Sequence, residues 1–348
     1  MRLFAGRYVA GAAALTTRPP AVALAIGDPN GIGPEIAVKA AVALAGKLPR
    51  IVLVGDGFVL RHYAERQAPD FKIREIALGE TPAARTIDVL AVDALPRAAF
   101  APGRVEAAAG RATIAYVEAA LGFVRGGHAR AVVGFPHNET AVNAAGIAFS
   151  GYPGLIARLC AIPDDHVFLL LIGGRLRIAH VTLHERLQNA LMRLSPDLVE
   201  AAGRACAAAL ISLGIERPRL GLFGINPHAG EGGLFGDDDA RITAPAAQRL
   251  RHSGIAVEGP GGADVMLGRT DLDAFLAMYH DQGHIPVKLL AGRKAAALSI
   301  GAGVVFASVG HGSAFDIAGR GVADPAAVLS AINLVAGLHA AAAAGTPA

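Results

Sequence analysis

The chain has 348 residues, 53% of them hydrophobic, enough to bury a large core in one big or two moderate domains. Trp is absent and aromatics make up 5%, so that core must be built from Ala, Val, Leu and Ile. A net charge of +3 with scattered Lys and Arg, no uncharged apolar run of membrane length, and two separated cysteines in Ala-rich settings (Cys160, Cys206) argue against a nucleic-acid binder, a membrane span and a disulfide framework.

In chain order, residues 1–20 read as an N-terminal extension rather than a signal peptide, because Arg7 interrupts the apolar stretch. Cytoplasmic residence is then the default expectation. Ala21 to Ile26 is a short apolar run that enters the turn Gly27-Asp28-Pro29-Asn30-Gly31. Gly33-Pro34-Glu35 opens a helix, since Pro suits the first helical position and Glu the positive end of the helix dipole; Gly46 stops it. Strands are predicted at Ile51 to Val54, Ala131 to Gly134, Val167 to Ile172, Leu176 to Val181, Leu220 to Ile225, Ala274 to Met278 and Ala296 to Ile300. Helices are predicted at Thr113 to Val124, Pro196 to Leu213, Pro245 to Ser253 and Pro325 to Ala343. Strands interleaved with helices imply an α/β fold with a mainly parallel sheet. The Gly-rich turns do not make a dinucleotide fingerprint: position 36 is Ile and position 60 is Leu where a third glycine belongs.

Three histidines follow predicted strands: His184, His228 and His280. Side chains at the carboxyl ends of neighbouring strands converge, and three neutral imidazoles with an open position suit zinc or a related divalent ion. Each alone would serve equally as a structural histidine. Asp281 and Asp264 are candidate proton acceptors or partners of the ligands, or else turn residues. Lys288 would meet an anionic substrate, or lie solvated at an element's end. His137, in Gly134-Phe135-Pro136-His137-Asn138, would line a pocket or cap a helix. The stretch from His311 to Asp324 has small residues that let backbone approach a flat ligand, with Asp316 for ribose hydroxyls; a Gly-rich loop before a helix is the plainer reading.

The runs GDPNGIGPEIAVKA, NAAGIAFSGY, NPHAGEGG, AMYHDQGHIPVK and HGSAFDIAGRGVADP together resemble the 4-hydroxythreonine-4-phosphate dehydrogenase family, from about Ala21 onward. The branch of that family working on terephthalate dihydrodiols is the nearer likeness, and the last motif is similar to the cofactor loop of isopropylmalate dehydrogenases. The resemblance implies an isopropylmalate-dehydrogenase-like subunit of two α/β domains. Residues 21–130 and 293–348 would form the cofactor side, and residues 131–292 the metal, substrate and dimerisation side. It implies a homodimer with the site shared across the interface, NAD, and one divalent metal per site, with zinc ahead of Mg, Mn, Co or Fe. The implied ligands are His184, His228 and His280, the last from the partner subunit. Substrate contacts match His137, Asn138 and Lys288, and the adenosine loop matches His311, Gly312, Ser313, Ala314 and Asp316.

Departures from the phosphate-substrate pattern are Ala297 for Asn, Phe306 for Arg, Gly310 for Asp and Asn138 for Lys. At the first two, the family's polar groups would touch a phosphorylated substrate, so the departures put that substrate in doubt. The expectation is therefore NAD-dependent, metal-assisted oxidation of a hydroxy acid with decarboxylation. The expected substrate is a cis-dihydrodiol carboxylate such as 1,2-dihydroxy-3,5-cyclohexadiene-1,4-dicarboxylate, giving protocatechuate. The alternatives are the phosphate-specific enzyme of pyridoxal phosphate synthesis and a metal-dependent hydrolase or aldolase without a dinucleotide.

Overall fold

The computed structural model describes residues 21–47, 49–76, 85–149, 151–291, 295–309 and 312–337. The expected N-terminal extension, residues 1–20, lies outside them. Twelve strands form one sheet: β1 (Ala21–Ala25), β2 (Ile51–Gly55), β3 (Lys72–Glu75), β4 (Thr86–Ala91), β5 (Ala129–Gly134), β6 (Phe168–Gly173), β7 (Leu176–His180), β8 (Arg219–Phe223), β9 (Ala256–Gly261), β10 (Ala274–Ala277), β11 (Ala296–Gly301) and β12 (Val304–Ser308). Their spatial order is β3-β4-β2-β1-β5-β12-β11-β6-β7-β10-β8-β9. Every pairing is parallel except β12/β11, β11/β6 and β6/β7. Three reversals leave β7, β10, β8 and β9 running opposite to β4, β2, β1, β5 and β12. The carboxyl ends of the two groups therefore leave the sheet on opposite edges. The domain boundary expected at residue 130 falls inside β5, which pairs with both β1 and β12.

The described helices are α1 (Gly33–Ala43), α2 (Gly57–Gln67), α3 (Ala107–Arg125), α4 (Glu139–Ala144), α5 (Tyr152–Cys160), α6 (Leu187–Arg193), α7 (Pro196–Ser212), α8 (Ala244–His252), α9 (Ala263–Met266), α10 (His280–Ala291) and α11 (Ala326–Ala336). The predicted helix at 113–124 begins at Ala107 instead. Of the long Ala-rich helix, the segment to Ala336 is helical and residues 338–348 lie outside the described residues. Both faces of the sheet are covered, and the alternation of side chains along a strand shows how. On β6 and β7, Leu170, Ile172 and Ala179 join the large core cluster that includes Ala202 and Cys206 of α7. Leu171, Leu176 and Ile178 instead join a smaller cluster with Phe223, Phe275 and Val287 of α10. The next residue of that second face on β7 is His180, which is fully buried. Among the described residues, no helix is long and apolar enough to cross a membrane.

Candidate active site

Helix α10 carries the centre of the site. Its sequence, HDQGHIPVKLLA, contains Gly283 and Pro286, both poor in a helix interior. Tertiary anchors compensate. Gln282 accepts from the Met278 amide at 2.7 Å and donates to the Gly224 carbonyl at 2.7 Å, tying the helix start to β10 and to the loop after β8. Val287 and Gly283 are buried against β6 and β7. Positions 280, 284 and 288 then form one stripe along the helix, so His280, His284 and Lys288 share a face.

Next to that stripe stands His184, four residues past the end of β7. The ligand nitrogens of His184, His280 and His284 all lie within 4.8 Å of one another. The rings of His280 and His284 stack with centroids 3.7 Å apart and planes 13° from parallel, and His184 lies 5.2 Å from His280. Each stacked ring has its Nδ1 occupied: that of His280 by Asp281 Oδ1 at 2.7 Å, that of His284 by His180 Nε2 at 3.0 Å. Burial, then the His284 and His280 imidazoles, pushes His180 down to about 3. Burial, then His280, pushes His284 down to about 4, with His184 and Lys288 adding to the effect. Neutral rings with their second nitrogen held are the form in which imidazole binds a transition metal, so this set fits a divalent ion.

The structure thus brings His184 and His280 together within one chain, and adds His284 and His180, which sequence reasoning missed. The spacing of His280 and His284, four apart, was the available signal. His228 is not in this cluster. It sits past β8, in a run of left-handed residues from His228 (φ 52°) to Gly232 (φ 67°), with its Nδ1 2.5 Å from Glu231 Oε2. Buried Asp239 holds the start of that loop by accepting from the amides of Ile225 and Asn226. Asp264, exposed on α9, lies near the same loop, since a Cβ on Gly262 would meet both its Oδ1 and the His228 backbone. Lys288 is exposed on the stripe.

The opposite edge of the sheet holds the remaining candidates. His137 follows β5, half-buried, with its Nδ1 3.0 Å from the Tyr152 hydroxyl. Burial lowers its pKa, against the opposing pull of Glu139. His137, Phe149, Tyr152 and Phe306 form a continuous aromatic wall, with centroids 4.5 to 5.7 Å apart. Phe306 is buried on β12 opposite Ser299, so Ala297 shares its face of the sheet. The side-chain oxygen of Asn138 caps α4 by accepting from the Ala141 amide at 2.7 Å, which leaves only its NH2 for a substrate. Of the expected adenosine loop, His311 lies outside the described residues. Gly312 is exposed, Ser313 buried, Ala314 left-handed at φ 41° and Asp316 exposed. Buried Glu35 fixes this loop to α1: it accepts from the amides of Ala323 and Gly321 and pairs with Lys39, which donates to the carbonyls of both residues. The loop's Ser313 carbonyl accepts from the Ile32 amide at 2.9 Å. Ser313 Oγ and, in the turn after β1, Asp28 Oδ2 are buried without a partner. Burial pushes Asp28 up to about 6, against the amides of Asn30 and Gly31.

Known proteins match this arrangement over nearly the whole chain. A 1,2-dihydroxy-3,5-cyclohexadiene-1,4-dicarboxylate dehydrogenase from Comamonas sp is 47% identical over 315 residues, 90% of this chain and 96% of its own. A crystal structure of a terephthalate 1,2-cis-dihydrodiol dehydrogenase from Burkholderia xenovorans superposes with a TM-score of 0.83 at 57% identity, covering 92% of this chain and 98% of that one. A 4-hydroxythreonine-4-phosphate dehydrogenase from Burkholderia phymatum follows at a TM-score of 0.79 and 35% identity, covering 91% and 97%. A mixed α/β sheet of this topology, shared at such identity with enzymes all named dehydrogenases, defines an oxidoreductase acting on a CH–OH group. The chain belongs to the family described as pyridoxal phosphate biosynthetic protein PdxA, whose profile matches residues 47–335. That membership removes the hydrolase or aldolase alternative.

Proposed function

We propose that the chain is an NAD-dependent, metal-assisted dehydrogenase that oxidises a cis-dihydrodiol carboxylate with loss of carbon dioxide. The preferred substrate is 1,2-dihydroxy-3,5-cyclohexadiene-1,4-dicarboxylate or a close relative. The observation that carries this reading is the aromatic wall. Where the resemblance implies an Arg for a phosphate, the ring of buried Phe306 packs 4.5 Å from Tyr152 and continues through Tyr152 to His137. The half-buried end of this wall, at His137, suits a flat, uncharged ring face. Phe306 itself offers no donor to a phosphate, whose burial unpaired costs several kcal/mol, about 2 to 7 for even a neutral polar group.

A divalent ion held by His184 and His228, with His280 of the partner subunit as the resemblance implies, would supply Lewis acidity toward the hydroxyl and its neighbouring carboxylate, and NAD would supply the hydride acceptor. The chain's own residues orient and exclude. Asp281 fixes the His280 ring through its Nδ1. Lys288, on the same helical stripe, presents an ammonium to the carboxylate. His137 lines the ring pocket with its imidazole held neutral by burial and aimed by Tyr152. Asp264, beside the His228 loop, is the remaining candidate proton acceptor. On the cofactor side, the unpartnered Ser313 Oγ and Asp28 Oδ2 support a polar ligand against the loop of Gly312, Ser313, Ala314 and Asp316.

We propose that the working unit is a homodimer. Leu187, Leu191 and Met192 of α6 and Ile285, Leu289 and Leu290 of α10, the two elements beside the histidine cluster, are exposed, as are Leu234 and Phe235 of the His228 loop. Apolar surface of this extent on a soluble chain marks an interface. The test of the catalytic reading is a comparison of kcat/KM for the dihydrodiol dicarboxylate and for 4-phosphohydroxythreonine. The dihydrodiol is expected to win at least tenfold, about 1.4 kcal/mol in transition-state binding. A preference for the phosphate ester would overturn the pocket argument.

A further inference from the structure

We propose that Glu35 and Lys39 of α1 are positioning residues for the dinucleotide, which act by holding residues 321–323 so that the cofactor loop meets its ligand already formed. The inference rests on the cofactor-loop reading above and extends it to two residues outside the expected set.

Residues 312–323 contain neither helix nor strand, so no ladder of regular bonds fixes them, and their backbone groups must find partners elsewhere. Glu35 and Lys39 supply them at one end. Glu35 Oε2 accepts from the Gly321 amide at 3.1 Å, and Glu35 Oε1 from the Ala323 amide at 2.8 Å. Lys39 Nζ donates to the Gly321 carbonyl at 2.9 Å and to the Ala323 carbonyl at 2.7 Å. Two side chains one helical turn apart thus take both the donor and the acceptor of each residue. They also bind each other, Lys39 Nζ to Glu35 Oε1 at 2.9 Å, which pairs the charge of a fully buried carboxylate. Val322, between the two clamped residues, projects outward and is exposed. A buried ion pair is a poor device for stability alone, since apolar residues of similar volume often serve as well or better. What apolar residues cannot do is satisfy these backbone groups and so fix the course of the loop.

The clamp belongs to a continuous support. At the start of α1 the Ile32 amide donates to the Ser313 carbonyl at 2.9 Å, and a Cβ on Gly31 would stand 2.7 Å from the Cβ of Ser313. The helix therefore meets the loop twice, beside residue 313 and at residues 321–323. Asn30, in the same turn, accepts from the Ala101 amide at 2.8 Å and donates to the Ala99 carbonyl at 3.2 Å. That segment rests on the loop in turn, since a Cβ on Gly103 would meet the Phe315 carbonyl at 3.0 Å. The turn is also tied to the ring pocket, because the Asp28 amide donates at 2.9 Å to the carbonyl of Pro136, the neighbour of His137. One piece of backbone thus sets the cofactor loop against the substrate side. A loop held in this way loses little conformational entropy when a ligand arrives, and the affinity is higher for it.

The test titrates the full-length protein with NADH, read by its fluorescence, and follows amide hydrogen exchange over residues 312–323. Circular dichroism checks the fold of each variant. Glu35→Gln keeps the size of the side chain but brings one oxygen to two amides, and Lys39→Met removes the donor to both carbonyls. Each is expected to weaken NADH binding about ten- to a hundredfold, the effect of one or two buried groups left unpaired in the free loop, and to speed exchange there. KM for NAD should rise in step, while kcat at saturating NAD and KM for the dihydrodiol stay within about twofold, because the bound cofactor restores the loop. Asp88→Asn is the control: it weakens another buried pair, that of Asp88 on β4 with Arg50 and Arg74, and should lower Tm without moving the NADH affinity. An equal loss of affinity in Asp88→Asn would overturn the proposal by making the effect one of general stability. Wild-type affinity in Glu35→Gln and Lys39→Met, while Asp316→Ala weakens NADH, would overturn it and leave the cofactor-loop reading standing. Wild-type affinity in all three would overturn both. Should Glu35→Gln fail to fold, Lys39→Met decides alone, since that side chain is partly exposed and its loss leaves the carboxylate its two amides.

Discussion

Asp28 gives a prediction whose size follows from the fold alone. It sits in the turn after β1, fully buried. Its Oδ1 accepts from the Asn30 amide at 2.9 Å, and its Oδ2 has no partner. Burial raises its pKa from 3.8 to about 6. The protonated carboxyl is therefore the form the native state prefers. Its stabilising contribution is fully present below about pH 4 and is lost as pH rises through about 6. A shift of roughly two units corresponds to about 3 kcal/mol of native-state stability lost between pH 4 and pH 8. Asp28→Asn keeps the acceptor for the Asn30 amide and removes the charge. The variant should match the wild type at pH 4 and exceed it by about 3 kcal/mol at pH 8. At roughly 2 °C per kcal/mol for a chain of this size, that is about 6 °C in Tm. Urea unfolding at pH 4, 6 and 8, with both proteins at equal concentration, reads the difference. A variant no more stable than wild type at pH 8, with the same pH slope, would refute the assignment of a buried, unpaired carboxylate.

Further outcomes follow from the two edges of the sheet. If His280 completes the partner's site, as the resemblance implies, mixing inactive His184→Ala with His280→Ala subunits should restore about a quarter of the wild-type turnover, the share expected when half the dimers are mixed and one of their two sites is intact. No recovery, with subunit exchange demonstrated, would show that the two histidines serve one site within a chain. If the loop of Asp316 binds the adenosine ribose as proposed, exposed Asp316 should repel a 2′-phosphate, so kcat/KM with NAD should exceed that with NADP, and Asp316→Ser should narrow the gap. Equal efficiency with the two cofactors in the wild type would remove this role, leaving Arg320 as the group that pairs the phosphate.

Much of the sheet was legible because its central strands are apolar runs. β1, β2, β5 to β8, β10 and β11 are mostly Val, Ile, Leu, Ala and Phe, and each was read close to its true span. β3 is KIRE and β9 is AVEGPG; they lie at the outer edges, where one side is solvated, and their sequences carry neither a run nor a clean alternation. Helix α10 was missed for a different reason. Gly283 and Pro286 break the local propensity, and the anchors that restore the helix come from Gln282 reaching residues far off in sequence. Missing the helix meant missing His284, since its relation to His280 exists only at helical spacing. His180 was hidden by its apolar surroundings, in which a strand residue ordinarily packs and does nothing else.

The same antiparallel insertion that joins the two halves of the sheet also separates the two halves of the site. β11 and β6 turn the chain direction over between β12 and β7, so strand ends that would converge in an all-parallel sheet leave on opposite edges. A strand of five or six residues is roughly 17 to 20 Å long, whereas hydride transfer needs its reacting atoms about 3 to 3.5 Å apart. His137, the aromatic wall and the Ser313 loop stand at one edge, and the imidazole cluster with Lys288 at the other. A second copy of the chain, related by a two-fold axis, can lay the histidine edge of one subunit against the cofactor edge of its partner and form two equal sites at once. Leu187 of α6 lies beside His184 and His280 and is exposed, as are Leu289 and Leu290 on α10.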